Sequence, residues 1–156
     1  MPKKSSFAKL HHVGVVVKDI NKAIAFFESL GFGPFGAPGG ARTFAITFNG
    51  ELHGKPATWT TTISNAKIGD FELELLEPTK GAQALKESLD ATGEGLQHIG
   101  FITDDLDAEI ANFKKNGVGI WTLAREPNGG GFLYSDPTPV GKVAIEFRKM
   151  GAPPKK

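Results

Sequence analysis

The stretch "LHHVGVVV" at residues 10–17 is nearly rewritten as "LQHIGFIT" at residues 96–103. Each copy places a histidine one residue before an apolar residue and a glycine: His12, Val13, Gly14 and then His98, Ile99, Gly100. Residues 10–32 align with residues 96–118 without a gap, at a constant offset of 86. Across that window Leu10, His12, Gly14, Asp19, Ile24, Ala25, Phe27 and Gly31 recur as Leu96, His98, Gly100, Asp105, Ile110, Ala111, Phe113 and Gly117. A fixed internal offset signals a duplicated module, and duplication implies a pseudo-twofold structure.

Each copy reads as a strand followed by a helix. The "HVGVVV" and "HIGFIT" runs are β-branched and apolar, while Asp19 and Asp105 suit helix N-caps. Ile20, Ile24, Phe27 and Leu106, Ile110, Phe113 fall at i, i+4, i+7, and Gly31 and Gly117 end the turns. After the first helix, "RTFAITF", "ATWTTTIS" and "FELELLE" read as strands, with "NGELHGKP" and "NAKIGD" between them as turn or loop. After the second, "GIWTLA", "GFLYS" and "KVAIEF" follow, separated by "REPNGGG" and "DPTPVG". The prediction is an α+β chain of two tandem β-α-β-β-β modules, about residues 8–80 and 94–149, within one domain over residues 1–156. Lys3, Lys4 and the closing "GAPPKK" are expected to be frayed or solvated.

Composition limits the function. Apolar residues make up 40% of the chain, 12 of them Phe, enough to close a core and line a pocket. A formal charge of +1 with scattered Lys and Arg gives no footprint for a polyanion, so nucleic acid is not the expected partner. No apolar run approaches the roughly 20 residues that span a bilayer, and "MPKKSSFAKL" lacks the apolar stretch of a secretory signal. The expectation is a cytoplasmic protein with no membrane partner. With no cysteine, any metal must be held by His, Asp or Glu.

Strand alternation then groups side chains. His12, Gly14 and Val16 share one face of the first strand, as His98, Gly100 and Ile102 share one face of its repeat. In the fourth strands, Leu73 and Leu75, or Val143, Ile145 and Phe147, supply the apolar face for a helix. The opposite face receives His12, Glu74, His98 and Glu146, with a glycine beside each histidine to leave open space.

The motifs "HHVG", "LELLEP", "LQHIG" and "AIEF" in a paired β-α-β-β-β order resemble the vicinal oxygen chelate superfamily, which includes glyoxalase I, methylmalonyl-CoA epimerase, extradiol dioxygenases and bleomycin-binding proteins. Through "LELLEP" and "GEGLQHIGFITDDL" the chain is most similar to the epimerase-like members. The resemblance implies a curved, partly closed sheet around a metal site with the helices outside. It makes His12, Glu74, His98 and Glu146 the ligands of a divalent ion (Co, Ni, Zn, Mn or Fe) and implies a homodimer. Two departures bear on the substrate. Glu74 stands where some epimerases carry an amide, and the segment at residues 43–57 looks longer than the compact epimerase connection.

Two imidazoles and two carboxylates suit a divalent first-row ion and leave octahedral positions for substrate oxygens. A substrate chelated through adjacent oxygens has its carbonyl polarised and the neighbouring C–H acidified. A carboxylate that loosens when substrate enters can carry the proton, and Glu146 and Glu74 are the candidate catalytic bases. The expected function is proton transfer beside a carbonyl on a small substrate such as an acyl-CoA thioester, by an epimerase, isomerase or lyase. A glyoxalase I-like lyase, a ring-cleaving dioxygenase and a non-enzymatic drug-binding protein are the alternatives. Other residues read as structural. His11 alternates away from His12 and matches Gln97; Glu72 suits a salt bridge; Glu77 suits a solvated position; His53 lies in the long loop; "NGGG" reads as a mobile turn. Phe44, Phe48, Trp59, Trp121, Phe132 and Tyr134 divide between core and pocket lining.

Overall fold

A computed structural model describes residues 6–36 and 38–153. Lys3, Lys4 and the closing Pro154, Lys155 and Lys156, expected to be solvated, lie outside the described residues. In chain order the elements are β1 (Leu10–Val16), α1 (Ile20–Ser29), β2 (Phe44–Leu52), β3 (Lys55–Ile68), β4 (Phe71–Lys80), α2 (Ala84–Thr92), β5 (Gly95–Ile102), α3 (Leu106–Lys115), β6 (Ile120–Arg125), β7 (Gly131–Ser135) and β8 (Ala144–Lys149), with a 3-10 turn at Pro38–Gly40. The order β-α-β-β-β therefore occurs on either side of α2.

All eight strands enter one sheet in the order β1-β4-β3-β2-β6-β7-β8-β5, which closes on itself. The expected sheet was partly closed; its second seam is what completes it. β1 and β5 pair antiparallel along one seam, and Gly50–Leu52 pair with Thr122–Ala124 along the other. Gly50 permits this second seam, because a Cβ there would lie 2.4 Å from the Leu123 carbonyl oxygen.

The two outer helices start as their sequences dictate. Asp19 accepts a hydrogen bond from the Lys22 amide and Asp105 from the Ala108 amide, each at 3.0 Å. Glu77 is not a solvated bystander: it accepts from the Ile20 amide at 2.8 Å, bringing negative charge to the positive end of α1. Ile20, Ile24 and Phe27 of α1 pack on Val13, Val15, Leu73 and Leu75. Phe113 and Ile110 of α3 pack on Phe101, Leu133, Ile145 and Phe147. These contacts take the outward apolar faces of β1, β4, β5 and β8, so the inward faces carry the remaining side chains.

Two features depart from expectation. The polar "NGELHGKP" is no long loop, because β2 and β3 run through it to a two-residue turn at His53 and Gly54, with φ of 51° and 74°. Positive φ at both positions is the hairpin geometry that matches strand twist. In addition, the connector between the modules forms α2, whose Ala84 joins the interior cluster of Phe48, Trp59, Trp121 and Phe132. Leu85 packs beside it on Val16, Ile63 and Leu76, so the first turn of α2 stoppers one end of the barrel. Gln83 anchors that turn: Thr61 Oγ1 donates to its Oε1 at 2.8 Å, and its Nε2 donates to the Thr60 and Lys80 carbonyls. The "NGGG" turn is tied down rather than free, since Asn128 Oδ1 accepts from the Gly130 amide and its carbonyl accepts from Ala152.

Candidate metal centre

Register brings the four inward residues together. β1 pairs with β4 in parallel, setting Gly14 beside Glu74, and β5 pairs with β8 in parallel, setting Gly100 beside Glu146. The antiparallel seam of β1 and β5 sets His12 against Gly100 and Gly14 against His98. The space beside each glycine is consequently not open, as alternation alone suggests, but filled by the histidine of the other repeat. A Cβ on Gly14 would lie 2.0 Å from His98 Cε1, and one on Gly100 would lie 2.0 Å from His12 Cε1.

His12, Glu74, His98 and Glu146 converge, each offering one ligand atom, with all four atoms within 4.8 Å of one another. Glu146 Oε2 lies 2.6 Å from His12 Nε2 and 2.8 Å from His98 Nε2. Glu74 Oε2 is looser, 3.4 Å from His98 Nε2 and 3.7 Å from His12 Nε2. The two Nε2 atoms are 3.0 Å apart. Three of the side chains are at most 4% exposed, whereas Glu74 is 17% exposed.

The other ring nitrogens are occupied. His98 Nδ1 bonds Gln97 Oε1, and His12 Nδ1 lies 2.9 Å from His11 Nδ1. The matched residues His11 and Gln97 thus do the same job in each repeat, holding Nδ1 so that Nε2 faces the centre. Burial, reinforced by His12, lowers the His11 pKa and leaves its ring neutral and able to accept.

Burial opposes charge on His98, but Glu146 and Glu74 outweigh it and raise the imidazole to about 9. Burial likewise opposes ionisation of Glu146, and the facing His98 and His12 reverse this, holding its carboxyl below the ordinary carboxylate range. One buried and one partly exposed carboxylate aimed at two imidazole Nε2 atoms form a donor set that fits a divalent first-row cation. Glu74 and Glu146 also line a small, partly open cavity of about 30 Å³ with Thr122, Tyr134, Arg148 and Gln83. That space holds roughly two water molecules.

The remaining sequence candidates lie elsewhere. Glu72 accepts from Asn65 Nδ2 at 3.1 Å rather than joining the cluster. His53 sits in its exposed turn, with Nε2 within 3.0 Å of both oxygens of Glu87, which also accepts from Trp121 Nε1. The orienting role of His11 and Gln97 went unread, although their matched positions were the available signal. Thr122 carried no signal at all.

The family model of the Glyoxalase/Bleomycin resistance protein/Dioxygenase superfamily matches residues 11–134. No curated protein matches the chain. Among solved structures, a hypothetical protein from Bacillus halodurans C-125 is similar with a TM-score of 0.62 and 21% identity, covering 95% of this chain and 98% of its own. Methylmalonyl-CoA epimerase from Mycobacterium tuberculosis is similar with a TM-score of 0.61 and 23% identity, covering 98% and 94%. A variant of the Streptomyces coelicolor epimerase in complex with 2-nitronate-propionyl-CoA has a TM-score of 0.57 and 24% identity, covering 92% and 98%. At these identities the neighbours establish likeness of fold alone. The family match spans well over half of the chain, and it includes both histidines and Glu74: this protein belongs to the Glyoxalase/Bleomycin resistance protein/Dioxygenase superfamily.

Proposed function

We propose that the chain is a single domain of two duplicated β-α-β-β-β modules acting as a divalent-metal-dependent enzyme. In this reading His12, Glu74, His98 and Glu146 hold the metal, and the reaction is proton transfer beside a carbonyl, as in an epimerase. The observation that carries the reading is the unequal grip of the two carboxylates. Glu146 is wedged between both imidazoles, while Glu74 is more distant, partly exposed and open to the cavity. A bound divalent ion would supply Lewis-acid polarisation of a substrate carbonyl. The chain's own contribution is to orient the imidazoles through His11 and Gln97, to exclude water with the α2 stopper, and to present Glu74 as the carboxylate free to take and return a proton.

The inward positions of β2 support assigning the base to the ligand set, since Phe44, Ile46, Phe48 and Leu52 are all apolar. An acyl-CoA thioester is the favoured substrate class, because epimerase neighbours were solved with methylmalonyl-CoA or 2-nitronate-propionyl-CoA. In this reading the small cavity beside Glu74 and Glu146 receives the chelating oxygens of such a substrate. A homodimer remains part of the proposal by family likeness.

The test is deuterium exchange at the acidic carbon of methylmalonyl-CoA, followed by NMR on metal-loaded protein in D2O. The glutathione hemithioacetal of methylglyoxal is assayed in parallel to separate the lyase. Exchange by wild type that is lost in Glu74→Gln with metal retained supports the reading. Unchanged exchange in Glu74→Gln removes its role as base, and no turnover of either substrate by metal-loaded protein removes proton transfer.

A further inference from the structure

A second cavity, of about 630 Å³, lies between α2, the start of β6 and the loop joining β7 to β8. It shares no lining residue with the cavity at the candidate metal centre, and its size is that of a small-molecule site. The space exists because α2 presents small side chains there: Ser88 and Ala91 share one face of the helix, and Ile120 and Trp121 of β6 supply an apolar wall. Trp121 is fixed in that wall by its Nε1, which donates to Glu87 Oε2 at 2.6 Å, and Glu87 also bonds His53. The charge of Glu87 is therefore answered within the protein.

Two other charges on this cavity are not. Asp136 Oδ1 accepts from the Thr138 amide at 2.9 Å and from the Thr138 hydroxyl at 2.7 Å, bonds that lower the carboxyl pKa and keep it ionised. Its Oδ2 has no partner among the described residues, and Lys142 makes no hydrogen bond or ion pair among them. Opposite charges thus line one cavity without neutralising each other. The backbone makes Lys142 more pointed still. The Val143 amide donates to the Val140 carbonyl at 3.0 Å, closing a turn in which Gly141 and Lys142 have φ of 57° and 61°. Glycine or asparagine suits the second of these positions better than lysine, so the ammonium is kept there against the local preference of the chain. Among the described residues His53 is the one other non-glycine with positive φ, and it lines the same cavity.

We propose that this cavity is a second ligand site, separate from the metal centre, for an α-amino acid with a large apolar side chain: Asp136 binds its ammonium, Lys142 its carboxylate, and Ile120, Trp121 and Pro137 its side chain. Binding is by charge-assisted hydrogen bonds and apolar contact, with no covalent step. The two carboxylates on the cavity, Glu87 and Asp136, repel a polyanion such as a nucleotide. The inference goes beyond the proposed reaction and does not depend on it.

The test is calorimetric titration of L-leucine, L-phenylalanine and L-tryptophan into the purified full chain as wild type, Asp136→Asn and Lys142→Asn. Asparagine keeps the Oδ1 acceptor for Thr138 at the first position and tolerates positive φ at the second, so both variants should fold. The expected result is binding of at least one amino acid by wild type, weakened about tenfold to a hundredfold in each variant. Lys142→Asn should also melt at a higher temperature than wild type without ligand, because it relieves the turn. Binding of none of the three by wild type at millimolar concentration overturns the inference. Equal affinity in all three proteins overturns it too, since the amino acid is then held elsewhere, as by chelation at the metal centre. Weaker binding joined to a lower Tm in Lys142→Asn also counts against it, because the lysine then serves the turn and not the ligand.

Discussion

Replacing Gly14 by Ala drives a methyl group into the imidazole of His98. The added Cβ would lie 2.0 Å from Cε1 and 2.4 Å from both ring nitrogens, against an ordinary contact beginning at 3.4 Å. The ring must therefore retreat by about 1.4 Å, the difference between 3.4 and 2.0 Å. It has little room to do so, being fully buried, bonded to Gln97 and stacked on Tyr134. Metal sites tolerate ligand displacements of only about 0.2 Å, so the variant loses a ligand in effect. Metal affinity should fall by more than the roughly 10–100-fold that loss of an orienting partner costs. Overpacking should cost about 1–3 kcal/mol, lowering Tm by roughly 2–10 °C for a chain of this length. Gly100→Ala should act the same way through His12, whereas Gly119→Ala, whose Cβ would meet nothing nearer than 3.5 Å, serves as a control. Metal titration with calorimetry and a melting curve read both effects. Wild-type metal affinity in Gly14→Ala would refute the reasoning, because the imidazole it displaces could not then be a ligand.

Metal uptake should release protons. Glu146 and Glu74 hold His98 at about 9 without metal, and metal needs the neutral ring, so about one proton should leave per ion bound at pH 7. Apparent affinity should rise with pH until about 9, and calorimetry in buffers of different ionisation enthalpy checks the count. The same shift sets the stability of the metal-free protein: the raised His98 pKa contributes fully below about 6.5 and is lost as pH rises through about 9. The lowered Glu146 pKa contributes above about 4.5 and is lost on acidification, so melting temperature should be highest between these limits and decline toward pH 9. Gln83→Ala removes three hydrogen bonds that seat the α2 stopper and orphans the Thr61 hydroxyl. It should lower stability by about 1–3 kcal/mol and raise acrylamide quenching of Trp fluorescence; unchanged quenching would show that α2 does not close the barrel.

The repeat made much of this architecture legible. A constant offset aligned the strands and helices, the Asp caps marked both helix starts, and simple alternation placed His12, Glu74, His98 and Glu146 on one face. Alternation could not say what fills the space beside Gly14 and Gly100, because that depends on the antiparallel seam joining β1 to β5. The α2 helix was hidden because Gln83 makes no side-chain cap bond to the helix and the segment is barely apolar on average; its stability comes from Ala84 and Leu85 packing into the barrel. The hairpin at His53 and Gly54 was hidden by Asn49, Gly50 and Pro56, turn-forming residues that here lie within paired strands. Thr122, whose buried Oγ1 has no hydrogen-bond partner among the described residues, lay beyond reach for a different reason. A missing hydrogen bond is a property of the packed interior and leaves no trace in residue order.

The most direct test of the central claim is the metal content of purified wild type beside His98→Ala, by elemental analysis after dialysis against a weak chelator. The account predicts about one divalent ion per wild-type chain and its loss from the variant, with both proteins folded by circular dichroism. Equal metal in both, or none in wild type even after reconstitution with Co, Ni, Zn, Mn or Fe, would contradict it.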